Sequence, residues 1–119
     1  MRAAADVTVA IVAALHLYFL VLEMLLWDTP LGRRVFRLTP ELAAATKSLA
    51  ANQGLYNGFL AAGLVWGLTL GEAGTAIKIF FLTCVVIAGA FGAVTVNRRR
   101  LWIQAFPAVV ALVLLVAQR

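Results

Sequence analysis

The sequence predicts an all-α integral membrane protein, an antiparallel four-helix bundle that forms one transmembrane domain over residues 1–119. The first observation is the composition, which is 64% hydrophobic and 13% charged with a mean hydropathy of +0.98. Soluble domains are about half apolar and a quarter charged. The second observation is a series of four apolar stretches joined by short turns or basic connectors. Because hydrocarbon satisfies no backbone amide, each stretch should cross as a helix.

The first predicted helix covers about residues 7–27 and ends at Trp27, before the sequence Asp28-Thr29-Pro30. This stretch is longer than the apolar core of a signal peptide, and no small-residue cleavage motif follows it. We therefore expect an uncleaved spanning helix. His16 and Glu23 are seven positions apart in it, so they should share one face of the helix.

The second predicted helix covers about residues 41–70 and has a clear start signal. Thr39 is a typical N-cap, Pro40 suits the first helical position, and Glu41 lies near the positive end of the helix dipole. Such a helix would be about 45 Å long, whereas the hydrocarbon core is about 30 Å thick. Its first turns should therefore lie among the lipid headgroups.

The third and fourth predicted helices cover about residues 75–96 and 101–118, and a tight turn at 71–74 precedes them. Lys78 lies near the outer end of the third helix, where its side chain should extend to the outer headgroups. Pro107 should kink the fourth helix or open it locally, because proline cannot donate a backbone hydrogen bond.

The basic residues predict the orientation of the chain in the membrane. Seven of the ten fall in or near the connectors between helices one and two and between helices three and four: Arg33, Arg34, Arg37, Lys47, Arg98, Arg99 and Arg100. Basic loops stay in the cytoplasm, so both termini should lie outside a multi-pass protein of the plasma (inner) membrane. The same pattern accounts for the net charge of +5 without a nucleic-acid partner.

The predicted second helix begins its immersed part with an unusually polar stretch. Its polar side chains fall within an arc of about 140° on a helical wheel: Asn52, Gln53, Tyr56 and Asn57. Leu55, Phe59 and Trp66 lie on the opposite side. Because carboxamides should not face lipid, we expect the polar arc to face the interior of the bundle.

Counting helical turns from the cytoplasmic side places several polar groups in one layer. The predicted ligand-binding set consists of Glu23, His16, Asn52, Gln53, Tyr56, Asn57 and Gln104. A carboxylate in hydrocarbon must be neutralised or find donors, so Glu23 is a candidate proton acceptor or counter-ion. We predict a polar pocket that opens to the cytoplasm and binds or passes a small molecule or a proton.

Two alternatives remain open at this level. Glu23 and His16 could act as an acid/base pair of a membrane-embedded enzyme on a lipid-like substrate, although no catalytic residue can be assigned. Alternatively, the polar layer could only fix the register of helices in a structural or accessory subunit. The sequence predicts no metal site, because one His and one carboxylate are too few ligands, and no cofactor. Expected partners are membrane lipid and a small-molecule or proton guest. Because four helices leave a thin interior, we also expect a second copy in a homodimer if the protein transports its guest.

Several residues resemble those of a known family. They are His16-Leu17-Tyr18, Glu23-Met24, Trp27, Arg33, Phe36 and the stretch Ala51-Asn52-Gln53-Gly54-Leu55-Tyr56-Asn57-Gly58-Phe59-Leu60-Ala61-Ala62-Gly63. Together they resemble the domain-of-unknown-function 1304 family of small four-helix integral membrane proteins, which are chiefly bacterial. The resemblance covers essentially the whole chain. It implies the fold and the location, and it implies no activity, substrate or catalytic residue.

Overall fold

The computed structural model describes residues 2–99 and 101–118. Within these ranges the protein has five α-helices: α1 (Arg2–Met24), α2 (Pro30–Phe36), α3 (Pro40–Thr69), α4 (Thr75–Thr95) and α5 (Phe106–Ala117). A 3-10 turn at Gly71–Gly74 precedes α4, and a π turn at Leu101–Ala105 precedes α5. The predicted all-α class is confirmed. Arg100, a member of the second basic connector, lies outside the described residues.

The predicted helices correspond to α1, α3, α4 and the π turn with α5. The helix α1 begins at Arg2 and ends at Met24, earlier at both ends than predicted. It ends early because the Val21 carbonyl accepts from the amides of both Leu25 and Leu26, at 3.0 and 3.2 Å, which widens the last turn. The helix α2 lies in the predicted basic connector, and the Thr29 side chain accepts from the Gly32 amide at 3.3 Å as its N-cap.

Two helical stretches are long and apolar enough to cross a membrane, judged by length and composition among the described residues: Arg2–Met24 and Gly71–Thr95. The stretch Leu101–Ala117 is apolar but shorter. The helix α3 is long, yet the carboxamides of its middle lower its hydropathy. The described part of the chain therefore has two helical stretches suited to a membrane, and four crossings stay a prediction.

The chain separates into two compact units. The first unit consists of Met1–Ala14 and Leu60–Arg119, and the second is Leu15–Phe59. The single domain over residues 1–119 stays a prediction.

In the first unit, the end of α3 and the start of α4 form an antiparallel helical hairpin. Glycines allow the close approach: a Cβ on Gly67 would lie 2.6 Å from the Lys78 Cγ, and Gly63 packs on the ring of Phe81. Gly71 turns the chain with φ +60, a backbone conformation that favours glycine. The tight turn predicted at 71–74 is confirmed.

The apolar core of the first unit draws on four helical segments. Its buried members are Ala5, Val9, Val12, Ala13, Leu64, Leu82, Val85, Ala108, Ala111 and Leu115. The π turn lies where a helix would need the amide that Pro107 lacks, so the predicted local opening is confirmed. A Cβ on Gly89 would lie 2.8 Å from the Ala105 nitrogen, which shows how closely α4 approaches this turn.

Lys78 corrects one prediction. Its side chain is 2% exposed, and its Nζ donates to Asp6 Oδ1 at 3.1 Å instead of extending to headgroups. Asp6 lies one turn into α1, 72 positions away along the chain, so no local pattern could indicate the pairing. The missing side chain of Gly67 provides the space that the lysine stem occupies.

In the second unit, α1 and α3 run antiparallel. Leu20 packs against Gly58, Met24 against Gly54, and the Trp27 Nε1 donates to Thr46 Oγ1 at 3.0 Å. The predicted start of α3 is confirmed, because Thr39 Oγ1 accepts from the Leu42 amide at 3.1 Å.

Candidate functional site

The most distinctive polar contact of the second unit joins Glu23 and Asn57, which are each 4% exposed. Glu23 lies in the last turn of α1, and Asn57 lies in the middle of α3. The Asn57 Nδ2 donates a hydrogen bond to Glu23 Oε1. The sequence placed both residues in an inward polar layer, and the structure buries both and brings them together.

The glycine one turn before Asn57 makes this contact possible. A Cβ on Gly54 would lie 2.7 Å from the Met24 Cγ and 3.0 Å from the Glu23 Cβ. The first distance is shorter than real Cβ atoms show and the second is tighter than most of their contacts, so a larger residue would hold α3 away from α1. Gly54 therefore sets the distance over which the carboxamide reaches the carboxylate.

His16 is fully buried at 0% exposure, on the same face of α1 as Glu23. Its ring meets that of Phe19 edge to face, with centroids 5.6 Å apart. Because α1 is a continuous helix, the spacing of seven positions separates His16 from Glu23 by about 10 Å along the axis. Gln104 belongs to the first unit, where it is 5% exposed in the π turn.

The inward orientation predicted for three residues is wrong. Asn52 and Gln53 are exposed, and the Tyr56 side chain is 50% exposed. The buried stripe of α3 instead follows its small residues and Asn57: Ala50, Gly54, Asn57 and Ala61. Close packing of α1 selects this stripe, which lies on the far side of Asn57 from Asn52. Leu55, Phe59 and Trp66 are exposed, as predicted.

The sequence analysis missed Asp6, which holds the charge of Lys78 inside the first unit. The Asp6 side chain is 36% exposed, so it connects the buried ammonium to the surface. Arg2 and Glu72 form a second, exposed ion pair, which joins the start of α1 to the 3-10 turn that precedes α4. The sequence did indicate that Lys78 needs a counter-ion, since it shares the apolar face of Leu82 and Val85, but not that Asp6 provides it.

The arrangement around Glu23 can carry or hold a proton, or bind a donor group of a small molecule. Among the residues that the structure describes, no three His, Cys, Asp or Glu side chains lie close enough to hold a metal ion. The Asn57 carboxamide supplies a hydrogen-bond donor to the Glu23 carboxylate.

Comparison with known proteins gives a family for this chain. Residues 10–116 match the model described as "Protein of unknown function (DUF1304)". The chain is 27% identical over 105 residues to "Uncharacterized protein YpaA" of Lactococcus lactis subsp. lactis (strain IL1403). The aligned region covers 87% of this chain and 88% of that protein. No solved structure matches. The match to this family model covers most of the chain, including Glu23 and Asn57, so the protein belongs to the DUF1304 family.

Proposed function

We propose that this protein is a multi-pass protein of the plasma (inner) membrane that binds or translocates a proton or a small molecule through Glu23. The observation that carries the proposal is the buried hydrogen bond from Asn57 to Glu23. Glu23 lies within α1, one of the two stretches apolar enough to cross a membrane. An ionisable side chain in such a position is expensive to bury and most often has a functional role.

The chemistry of the pair favours a titratable role for Glu23. A purely structural contact between α1 and α3 would need only two neutral polar groups, or a larger apolar contact. A carboxyl group adds the ability to gain and lose a proton, and Asn57 can donate to it in either state. A proton, or a cationic or donor group of a small molecule, would compete for the same oxygens.

The contacts of the first unit support four membrane crossings. Asp6 pairs with Lys78, and Arg2 pairs with Glu72, so α1 and α4 begin at the same end of this unit. If both helices cross, the chain between them must cross once more in the opposite direction. The helix α3, with 30 residues or about 45 Å, is long enough for that crossing. The segment 101–117 would then return the chain, which puts both termini on one side.

The basic residues give the direction of these crossings. Arg33, Arg34 and Arg37 follow α1, and Arg98 and Arg99 follow α4. With these connectors in the cytoplasm, both termini lie outside. Glu23 then lies in the cytoplasmic half of the membrane, where a proton or small molecule could enter from the cytoplasm.

Joint acid/base catalysis by Glu23 and His16 has less support. The two groups are about 10 Å apart along α1, and each would have to reach the same reacting group directly or through one water. A structural role for the Glu23–Asn57 hydrogen bond is the remaining alternative, and the experiment below separates it from the proposal.

The test replaces Glu23 with Gln, which keeps the size of the side chain and an oxygen that can accept from Asn57. In reconstituted liposomes we expect proton or solute flux to fall to background. The melting temperature in detergent should stay within a few degrees or rise, because the Gln side chain carries no charge to bury. Glu41→Gln is the matched control, since Glu41 is exposed in the first turn of α3. An unfolded Glu23→Gln variant would support the structural role, and unchanged flux would contradict the proposal.

A further inference from the structure

The exposed side of α3 carries a polar strip that the candidate site does not use. Four side chains form this strip, which we call the amide strip: Ser48, Asn52, Gln53 and Tyr56, all exposed. They lie on one side of α3, over three consecutive helical turns. Leu49, which is 72% exposed, and Phe59, which is 56% exposed, flank them with apolar surface.

Packing of α3 on α1 shows beside which part of α1 the amide strip lies. Gly54 lies against Met24 and the Leu20 carbonyl, and Asn57 bonds to Glu23, so the strip is level with the last turns of α1. That part of α1 belongs to a stretch apolar enough to cross a membrane. Carboxamides at this level lose hydrogen bonds to water as they enter hydrocarbon, and lipid chains offer none in return.

From these observations, we propose that the amide strip is the interface with a second copy of this chain. The strip contains no charged residue, so it would offer a phospholipid headgroup neither a cation nor an anion to pair with. It is well suited to its own image, because a carboxamide both donates and accepts hydrogen bonds. The proposal uses the membrane crossing of α3 and is independent of any role for Glu23.

Symmetry determines how the two copies meet. Both copies insert with the same orientation, so the two-fold axis that relates them runs along the membrane normal. A residue near the axis then faces the same residue of the other copy at the same depth. Asn52 of one copy should hydrogen-bond to Asn52 of the other, and Tyr56 should lie against Tyr56 one turn further along.

Cysteine cross-linking tests this geometry in the full chain, with native Cys84 replaced by Ser. A disulfide forms only between cysteines whose Cα atoms come within about 7 Å, so it reports residues near the axis. In membranes treated with a mild oxidant, Asn52→Cys or Tyr56→Cys should give dimer at least about tenfold faster than Val21→Cys. Val21 is the matched control, since it is also exposed and lies near the same level on α1. Equal rates at all three positions would overturn the proposal.

A second measurement tests the role of the amides. Asn52→Leu removes the polar group and keeps the helix, so the protein should remain folded. Energy transfer between labelled copies, diluted into liposomes, should show a dimer about tenfold weaker, since one symmetric pair of interhelical hydrogen bonds is lost. Val21→Leu should leave the dimer unchanged. A dimer that Asn52→Leu strengthens or leaves intact would show that the amides do not pair across an interface.

Discussion

Lys78 is a cation with two energetic disadvantages, and its ion pair with Asp6 offsets both. The side chain is 2% exposed, and it lies in the first turn of α4, where the helix dipole is positive. Asp6, by contrast, lies near the positive end of α1 and is 36% exposed, so both the dipole and water stabilise its carboxylate. The pair is therefore asymmetric: the lysine depends on the aspartate far more than the aspartate depends on the lysine.

This asymmetry predicts unequal costs for the two single substitutions. Asp6→Asn leaves a buried ammonium without a counter-ion and should lower the free energy of unfolding by about 2–3 kcal/mol, less than for a fully buried pair because Asp6 is partly hydrated. Lys78→Met leaves a carboxylate that can reach water and should cost at most about 1 kcal/mol. Denaturant unfolding in detergent measures both.

The double variant Asp6→Asn with Lys78→Met is the control for that experiment. It should recover most of the stability that Asp6→Asn loses, since no buried charge remains. Equal costs for both single variants would show that the ion pair contributes as a symmetric contact and that hydration of Asp6 does not matter.

At the scale of single residues, the burial of Glu23 and Asn57 could be predicted from the sequence, whereas the partner of Lys78 could not. Glu23 and Asn57 were expected inside, and both are buried. Lys78 was expected at the headgroups, because a side chain with four methylenes can reach them. The distant Asp6 and the space beside Gly67 keep it inside, and neither is a local feature of the sequence around Lys78.

At the scale of elements, the contact between α1 and α3 depends more on Gly54 than on Gly58, which lies one turn later in α3. A Cβ on Gly54 would meet the Cβ of Glu23 at 3.0 Å and the Leu20 carbonyl at 3.3 Å, and neither atom can rotate away. Among the described residues, a Cβ on Gly58 would meet the side chain of Leu20 alone, with Cδ1 at 2.6 Å and Cγ at 4.0 Å, and this Cδ1 is the far end of a flexible side chain.

Gly54→Ala and Gly58→Ala therefore form a matched pair of variants. Gly54→Ala should reduce the free energy of unfolding by about 1–3 kcal/mol, because overpacking separates the helices. Gly58→Ala should be near neutral, since the better helix propensity of Ala, worth about 1 kcal/mol, offsets a shift of Leu20. Thermal unfolding in detergent distinguishes them. The contact would not depend on Gly54 if both variants were equally stable.

The orientation of α3 shows why an element can be predicted while its face is not. Its boundaries were predictable from Thr39, Pro40 and the turn at Gly71, and they agree to within one residue. Its buried face was not, because a helical wheel assigns polar groups to the interior when only one chain is considered. Small residues decide the face instead, since only they allow α1 to approach, and this leaves Asn52 and Tyr56 outside.

At the scale of the whole molecule, the number of membrane crossings constrains their direction. Two helices that cross a membrane in the same direction must be separated by an odd number of other crossings. The helices α1 and α4 begin at one end of their unit through the Asp6–Lys78 pair, so a protein in which both cross needs a third crossing between them. Among the residues that the structure describes, length and composition identify two stretches suited to a membrane, and α3 is not one of them because its carboxamides lower its hydropathy.

Labelling of single cysteines in a Cys84→Ser background should resolve the topology. Arg34 and Glu72 are both exposed, and α3 separates them along the chain. We expect a membrane-impermeant maleimide to label Glu72→Cys in intact cells and Arg34→Cys only after permeabilisation, because basic connectors are retained in the cytoplasm. The Arg2–Glu72 pair is exposed, so its loss should not unfold the protein. Equal labelling at both positions would mean that α3 does not cross, whereas a reversed pattern would mean that it crosses with the arginines outside. The experiment therefore tests the crossing and its direction separately, and the position of Glu23 in the cytoplasmic half depends on both.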